Sequence, residues 1–327
     1  MRIAINGMGR IGRLLFRRLL HEPGISLVAV NDIMEPGNLA YLLKYDSLYG
    51  AFQGKINLEA NTIKSDGKEI IVLQCQDPLE LPWRKMEIDV VLECSGKFIS
   101  RAGAQQHLTA GAKRVLLSTT SPDLQLMIYG FNHHRLSHDV DIISPGGCMT
   151  NCCTHVLYIL NSIGIETAQI HILHSYTSRQ ELVDTAHAQY RRGRAAAESI
   201  IPVEIDLAHS LEKLLPLQNK IAALSTRVPV TNGAMADLTI QLKEPVTREA
   251  INNLFKAAAL KEYKNIIAYT EDQVVSADIK GNTHSCIIDG TLTSVVGKQV
   301  KIIAWFDNEY GFTSRMIDWL KLMMNYE

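Results

Sequence analysis

A glycine-rich turn between two apolar strands constrains the fold of this chain more than any other feature. Residues 2–6 form a short apolar strand, and the sequence Gly-Met-Gly-Arg-Ile-Gly follows directly at 7–12. Apolar residues then recur at helical spacing over 10–21, and a second apolar strand covers 25–30. This order predicts a βαβ unit, which requires parallel strands joined by a right-handed crossover.

The three glycines have separate structural roles in such a unit. Gly7 makes the turn, Gly9 lets a pyrophosphate approach the backbone, and Gly12 lets the helix pack on the strand. The pyrophosphate is expected at the helix N-terminus, and Arg10 and Ile11 are candidate cofactor-binding residues there. The alternative is a tight strand–helix turn that binds no ligand.

Asp32 supports the dinucleotide interpretation. It ends the second strand and lies 20 residues beyond Gly12. A carboxylate there accepts hydrogen bonds from a ribose diol and repels a 2′-phosphate, which favours NAD over NADP.

Further βα units continue the first half of the chain. Strands are predicted over 88–94 and 113–118, with a helix over 101–110 between them. Because ligands bind beyond the carboxyl ends of parallel strands, one crevice should be lined by polar residues and glycine at these ends. They are Asp32, Ser95, Gly96 and Ser118.

Composition limits the class of protein. The 327 residues are enough for two domains, with 46% apolar and 20% charged residues and a formal charge of −1. This near-neutral charge argues against nucleic acid and anionic membranes as partners. We expect a cytoplasmic protein, because we find no signal peptide, membrane-spanning run or disulfide framework.

A cysteine behind a Pro-Gly-Gly turn is the strongest catalytic candidate. Cys148 precedes an apolar run that predicts a helix to about residue 163. At a helix N-terminus the dipole and free N–H groups stabilise a thiolate, which is a nucleophile. The alternative is an ordinary buried cysteine. Zinc is a weaker alternative, because Cys152, Cys153 and His155 match no common ligand spacing.

The rest of the second half predicts a mostly antiparallel sheet. Strands are expected over 167–173, 236–242, 274–278, 286–289 and 300–305, and an amphipathic helix over about 313–324. His174 follows the first of these strands and is a candidate base, although a structural histidine is the alternative. Arg227 lies in an apolar strand context, where a lone charge needs an anionic partner.

An irregular stretch over 175–202 carries several arginines. We interpret it as a loop that shapes a phosphate pocket and a subunit contact; a solvated basic loop or an RNA-binding patch are the alternatives. Its arginines are Arg179, Arg191, Arg192 and Arg194.

Ordered motifs along nearly the whole chain resemble the glyceraldehyde-3-phosphate dehydrogenase family. The motifs are INGMGRIGR at 5–13, ND at 31–32, LLKYDS at 42–47, DVVLECSG at 89–96, GAKRVLLS at 111–118, CMTNC at 148–152, HSYT at 174–177, RRGRAAAESIIP at 191–202, RVP at 227–229 and AWFDNEYGF at 304–312.

The resemblance implies an architecture and an assembly. It implies an α/β protein with a Rossmann NAD-binding domain over 1–147 and an α+β catalytic domain over 148–311 that contains a mostly antiparallel mixed sheet. A C-terminal helix over 312–327 would join the NAD-binding domain. It also implies a homotetramer.

The resemblance further implies how the site acts. Cys148 would attack an aldehyde to give a thioester, with His174 as base and Asn308 fixing the nicotinamide carboxamide. Arg227 and Thr177 would hold the substrate phosphate. Thr150 and Arg179 are further candidate substrate-binding residues.

Departures from the family pattern affect release of the thioester. Glycolytic members usually carry hydroxyl side chains where this chain has Gly147, Met149 and Ile205, and glycine at the position of Asp206. Glu204 and Asp206 bring negative charge towards the site of the attacking phosphate dianion. The repulsion between two like unit charges at ~4 Å is about 1 kcal/mol in water and several times larger near a protein surface. Water is therefore the expected acyl acceptor.

This pattern, and the segments at 199–208 and 284–293, favour an erythrose-4-phosphate dehydrogenase-like branch. Arg179 also departs from the family, which usually has Asp there. The alternatives are a phosphorylating glyceraldehyde-3-phosphate dehydrogenase of glycolysis and a weakened relative that acts as a redox sensor or RNA-binding protein.

Overall fold

The computed structural model describes residues 1–326, which separate into two units. The first contains Met1–Gly147 and the chain from Arg315 onward, and the second contains Cys148–Ser314. Glu327, the last residue of the predicted C-terminal helix, lies outside the described residues.

The first unit is built on an eight-stranded sheet whose larger part is parallel. The strand order is β3-β4-β5-β2-β1-β6-β7-β8, and only the β3–β4 and β4–β5 pairs are antiparallel. The strands are β1 (Arg2–Asn6), β2 (Ser26–Asn31), β3 (Asn57–Glu59), β4 (Thr62–Ser65), β5 (Lys68–Leu73), β6 (Val90–Glu93), β7 (Arg114–Leu117) and β8 (Ile142–Ile143).

Three helices connect these strands, namely α1 (Arg10–Leu19), α2 (Pro36–Lys44) and α3 (Arg101–Thr109). Helix α1 packs as the glycine pattern predicts, because a Cβ at Gly12 would lie 2.1 Å from the carbonyl oxygen of Gly7. Its apolar face is buried, with Leu15 and Phe16 fully enclosed. The predicted βαβ unit is therefore present.

The second unit is built on a mixed, mostly antiparallel sheet. Its order is β10-β11-β9-β12-β16-β14-β13, β15 pairs with β16, and only β9–β11 and β13–β14 are parallel. The strands are β9 (Ile165–Ser175), β10 (Ile201–Val203), β11 (Ile221–Val228), β12 (Ala234–Leu242), β13 (Ile267–Thr270), β14 (Cys286–Asp289), β15 (Ser294–Val296) and β16 (Gln299–Phe306).

Three helices of the second unit pack on this sheet: α4 (Cys148–Asn161), α5 (Leu207–Leu214) and α6 (Arg248–Leu260). Helix α4 contacts β9, β12, β14 and β16, which explains why most of its side chains are buried. Helix α7 (Tyr310–Met324) follows β16. The predicted fold class, a Rossmann-type α/β unit and an α+β unit with a mostly antiparallel sheet, is confirmed.

The strand predicted over 274–278 is wrong. A short 3-10 turn covers Ser276–Ile279, and the Asp278 carboxylate accepts a hydrogen bond from the backbone N–H of Val275 at 2.8 Å. This local bond takes a donor that a strand would use for pairing. Among residues 1–326, no helix is both long enough and apolar enough to cross a bilayer.

We expect helix α6 to contribute to stability through Phe255. Phe255 is fully buried, and its replacement by alanine should lower the free energy of unfolding by about 3–5 kcal/mol, because it leaves a cavity. Leu260 on the same helix is 77% exposed, so Leu260→Ala should change it by less than about 0.5 kcal/mol. Urea denaturation followed by circular dichroism measures both; equal losses would contradict the packing described here.

Candidate active site

Cys148 is the first residue of α4. The chain reaches it through Gly146, whose φ of +73° is in the left-handed region that favours glycine. The thiol is partly buried, and its Sγ lies 3.7 Å from Nε2 of His174. The structure thus brings together two residues that are 26 positions apart and that the sequence alone could not pair.

His174 is held by a central strand of the sheet. It lies near the end of β9, between Arg227 on β11 and Ala234 on β12. Its Nδ1 lies 2.7 Å from the carbonyl oxygen of Ser175. A carbonyl can only accept, so Nδ1 carries the proton and the lone pair of Nε2 faces the sulfur of Cys148.

Burial changes the pKa of both residues of this pair. It raises the pKa of the Cys148 thiol to about 11, although Arg227 and the backbone N–H groups at the start of α4 oppose the shift. Burial, followed by the charge of Arg227, lowers the pKa of His174 to about 3. Desolvation therefore favours a thiol and a neutral imidazole, whereas the helix N-terminus and Arg227 favour the thiolate, and the thiolate expected from the sequence stays a prediction.

Arg227 is the buried cation of the site. It pairs with His174 in the parallel β9–β11 register, and its Nη1 donates to the carbonyl oxygen of Ser175 at 3.1 Å. Its Nε is buried without a hydrogen-bond partner. Burial, with Arg192 and Arg179 nearby, lowers its pKa to about 10, which leaves it charged at neutral pH.

A cavity of about 490 Å³ in the second unit is rich in cations. Arg192, in the 3-10 turn Tyr190–Gly193, is buried and its Nη1 lacks a hydrogen-bond partner. Burial and then the charge of Arg179 lower the pKa of Arg192. Buried donors without acceptors beside like charges favour an anionic ligand. The lining residues are Met149, Arg179, His187, Gln189, Arg192, Glu204, Ile205, Asp206 and Arg227.

The other predicted substrate residues differ in their access to this cavity. Arg179 is exposed and lines it. The backbone N–H and hydroxyl of Thr177 both donate to Oε1 of Gln180, whose Nε2 is buried without a partner. Thr150 is buried within α4, and Met149 forms the cavity wall at that turn. The roles of Thr150, Thr177 and Arg179 stay predictions.

The side chain of Asn308 is oriented by two hydrogen bonds to its amide oxygen, Oδ1. Ser175 Oγ donates to Oδ1 at 3.1 Å, and the backbone N–H of Gly233 donates at 3.0 Å. These bonds orient the side-chain amide so that its NH₂ group is the end available to a ligand carbonyl. The sequence gives no signal for Ser175 or Gln180, whereas Arg192 belongs to the arginine-containing loop that is interpreted above as shaping a phosphate pocket.

The glycine-rich turn in the first unit has room for a dinucleotide. Among residues 1–326, apart from the adjacent residues of the chain, nothing lies within 4 Å of where a Cβ would project at Gly9 or Gly96, and Gly9, the N-cap of α1, has no side-chain capping hydrogen bond. A side chain at Gly9 would occupy the space through which a pyrophosphate reaches these N–H groups.

Two further predicted cofactor-binding residues, Asp32 and Ser118, follow strands of the first unit. Asp32 accepts from the backbone N–H groups of Met8 and Met34 and retains lone pairs for a ribose diol. Ser118 follows β7, and its N–H donates to the carbonyl of Glu93. The described residues contain no group of three or more histidine, cysteine or acidic side chains that could hold a metal ion.

Comparison with protein families identifies both halves of the chain. Residues 1–101 match the NAD binding domain of glyceraldehyde 3-phosphate dehydrogenase, and residues 147–308 match its C-terminal domain. NAD is thus confirmed as the cofactor of this type of protein.

Similar proteins match over almost the full length. A glyceraldehyde-3-phosphate dehydrogenase of Borreliella burgdorferi is 43% identical over 97% of this chain and 98% of its own. One of Geobacillus stearothermophilus is 40% identical over 97% and 96%, and one of Streptomyces avermitilis is 39% identical over 97% and 97%. The chain therefore belongs to the glyceraldehyde-3-phosphate dehydrogenase family of NAD-dependent dehydrogenases.

Proposed function

We propose that this protein oxidises glyceraldehyde 3-phosphate with NAD through a thioester on Cys148. The observation that carries the proposal is the thiol of Cys148 facing the lone pair of His174 at 3.7 Å. The relatives compared above are named for glyceraldehyde 3-phosphate, and they do not support the preference for erythrose 4-phosphate. Glyceraldehyde 3-phosphate is therefore the main proposal, and erythrose 4-phosphate becomes the competing substrate.

The chemistry follows from the protonation of the pair. As Sγ of Cys148 bonds to the aldehyde carbon, its proton moves to Nε2 of His174, and the carbonyl oxygen becomes an oxyanion. The imidazolium and the backbone N–H of Cys148 stabilise that oxyanion. NAD would supply the hydride acceptor for this carbon. The carbon–oxygen double bond then re-forms as a thioester, and His174 releases the proton to solvent.

The cationic cavity supports a phosphorylated substrate. Arg227, Arg192 and Arg179 provide three guanidinium groups, two of which have buried N–H donors without acceptors. A phosphate dianion supplies acceptors for both and offsets their mutual repulsion. Thr177, whose N–H and hydroxyl donate to Oε1 of Gln180, stays a candidate for binding the phosphate. The free NH₂ of Asn308 suits the carbonyl of a nicotinamide carboxamide.

The same cavity is also lined by two acidic residues, which supports water as an acyl acceptor. Glu204 and Asp206 line it, and Met149 and Ile205 supply no hydroxyl group. Orthophosphate must approach two carboxylates there, whereas water carries no charge. We propose that water releases the thioester and that orthophosphate competes weakly with it.

Further proposals concern organisation and cellular context. Residues 1–147 with the C-terminal helix would form the NAD-binding domain, and 148–311 the catalytic domain. A homotetramer in the cytoplasm is proposed, with a small phosphorylated aldehyde as partner and neither nucleic acid nor membrane. A redox sensor is disfavoured because such cysteines have a low pKa, whereas that of Cys148 is raised.

The substrate proposal predicts faster NADH formation with glyceraldehyde 3-phosphate than with erythrose 4-phosphate, measured as kcat/KM at saturating NAD. Cys148→Ser should reduce this rate by at least about 10³-fold, because the nucleophile is lost. Cys75→Ser, a half-buried thiol of the first unit, is the matched control and should stay within about twofold. A preference for erythrose 4-phosphate would reverse the substrate assignment, and full activity of Cys148→Ser would reject the mechanism.

The raised pKa of Cys148 predicts slow alkylation at neutral pH. Because only the thiolate reacts, the rate with iodoacetamide should rise about tenfold per pH unit from pH 7 towards the pKa of about 11. Arg227→Met removes the charge that favours the thiolate, so its rate should be lower at each pH. A plateau reached below pH 7 would show that the free enzyme holds a thiolate.

The acyl-acceptor proposal predicts steady-state NADH formation without phosphate and less than about a threefold increase on adding it. Ile205→Thr combined with Asp206→Gly restores a hydroxyl and removes a charge, so phosphate stimulation should increase at least about tenfold. Glu198→Gln removes an exposed carboxylate that does not line the cavity and serves as the control. A strict phosphate requirement in the unmodified protein would contradict this proposal and leave the Cys148 chemistry intact.

A further inference from the structure

A buried polar side chain ends each of three adjacent parallel strands in the first unit. Asn6 ends β1, Asn31 ends β2 and Glu93 ends β6. All three side chains are buried, and Glu93 is only 1% exposed. Because β1 pairs in parallel with both neighbours, these side chains lie at one edge of the sheet. This is the edge from which the glycine-rich turn and the Ser95–Gly96 turn emerge.

Hydrogen bonds fix the orientation of both amides. The backbone N–H of Cys75 donates to Oδ1 of Asn31 at 2.9 Å, so the Nδ2 of Asn31 faces Asn6 and donates to its Oδ1 at 2.7 Å. Asn6 must therefore present its own Nδ2, which donates to Oε2 of Glu93 at 2.6 Å. A backbone donor at one end thus makes Glu93 the final acceptor of the series.

A second series reaches Glu93 from the other side. The indole N–H of Trp83, which can only donate, bonds to Nδ1 of His107 at 3.1 Å. His107 is therefore the neutral tautomer with its proton on Nε2, and this nitrogen lies 2.9 Å from Oε2 of Glu93. Oε2 of Glu93 therefore accepts hydrogen bonds from both Asn6 and His107.

The remaining oxygen of Glu93 holds the turn that follows β6. The backbone N–H and hydroxyl of Ser95 both donate to Oε1, at 2.7 and 2.5 Å. A Cβ at Gly7 would lie 2.3 Å from the nitrogen of Ser95, so these two turns are in backbone contact. The backbone carbonyl of Glu93 accepts from the N–H of Ser118 at 3.0 Å.

We propose that Glu93 is a positioning residue for NAD, an inference that rests on NAD binding at the Gly7, Ser95 and Ser118 turns as proposed above. Its buried carboxylate collects four donors and fixes the Ser95–Gly96 turn against the glycine-rich turn before the cofactor arrives. A preformed turn binds more tightly, because binding then costs less conformational entropy. Hydrogen bonds from Asn6, His107 and Ser95 satisfy both oxygens of this buried carboxylate.

Glu93→Gln tests this role, because the new NH₂ group must face either the donors of Asn6 and His107 or those of Ser95. Isothermal titration calorimetry with NAD should show a Kd at least about tenfold higher than in the unmodified protein, and the KM for NAD should rise in proportion. The kcat at saturating NAD and the KM for the aldehyde should stay within about twofold. An unchanged Kd would overturn the proposal, as would a loss confined to kcat.

Two further variants separate positioning from general destabilisation. Asn6→Asp in the Glu93→Gln protein provides an acceptor for the new NH₂ group but leaves the N–H of His107 directed at it, so the Kd should fall at least about threefold below that of Glu93→Gln without reaching the original value. Val115→Ala shortens a fully buried side chain of the same sheet away from the network and should leave the Kd within about twofold. A rise in the Val115→Ala protein equal to that of Glu93→Gln would show that the Kd follows stability alone, and would overturn the proposal.

A second variant and the unmodified protein distinguish failure of this inference from failure to fold and from failure of the proposed function. If Glu93→Gln does not fold, Glu93→Asp, which keeps the charge but withdraws it from Ser95 by one methylene group, replaces it with the same expected rise. If the unmodified protein shows no heat of NAD binding, the site assignment itself fails. A measurable Kd that Glu93→Gln leaves unchanged overturns only the positioning role.

Discussion

The geometry of the candidate active site depends on two hydrogen bonds to the backbone carbonyl oxygen of Ser175. This oxygen accepts hydrogen bonds from Nδ1 of His174 and from Nη1 of Arg227, so one buried acceptor orients both the base and the cation. Because Nδ1 must donate, Nε2 is left as the acceptor that faces Cys148. The hydroxyl of the same serine donates to Asn308, which extends this arrangement to the predicted nicotinamide ligand.

The electrostatics of the site follow from its burial. Desolvation favours the neutral forms of Cys148 and His174, whereas Arg227 stays charged and its neighbours carry the same sign. The buried guanidinium donors of Arg227 and Arg192 would gain acceptors from the phosphate of the proposed substrate. In that proposal, the side chains that bind the phosphate also lie beside the thiol that attacks the aldehyde.

The sequence predicted the features that depend on local order. The strand, glycine turn and helix at the N-terminus follow from apolar spacing and from a turn that only glycine permits, and β1 has its predicted bounds. Local pattern singled out Cys148, His174 and Arg227 as candidates, and the family resemblance implied their roles. Neither source could show that Arg227 faces His174, because that proximity comes from a parallel register between strands 53 residues apart. The strand expected at 274–278 failed because Asp278 satisfies a backbone donor locally.

In both units, a buried acceptor fixes the orientation of polar side chains: a backbone carbonyl in the second unit and a carboxylate in the first. Around Ser175 a single acceptor orients two donors, and around Glu93 a carboxylate collects donors from Asn6, His107 and Ser95. In each case groups that can only donate or only accept remove the ambiguity of an amide or an imidazole. These side chains are buried and bonded to backbone or to rigid neighbours, so their orientation does not depend on a ligand. The polar residues at the strand ends therefore stabilise the fold itself. The open space beside Gly9 and Gly96 is where we propose that NAD binds.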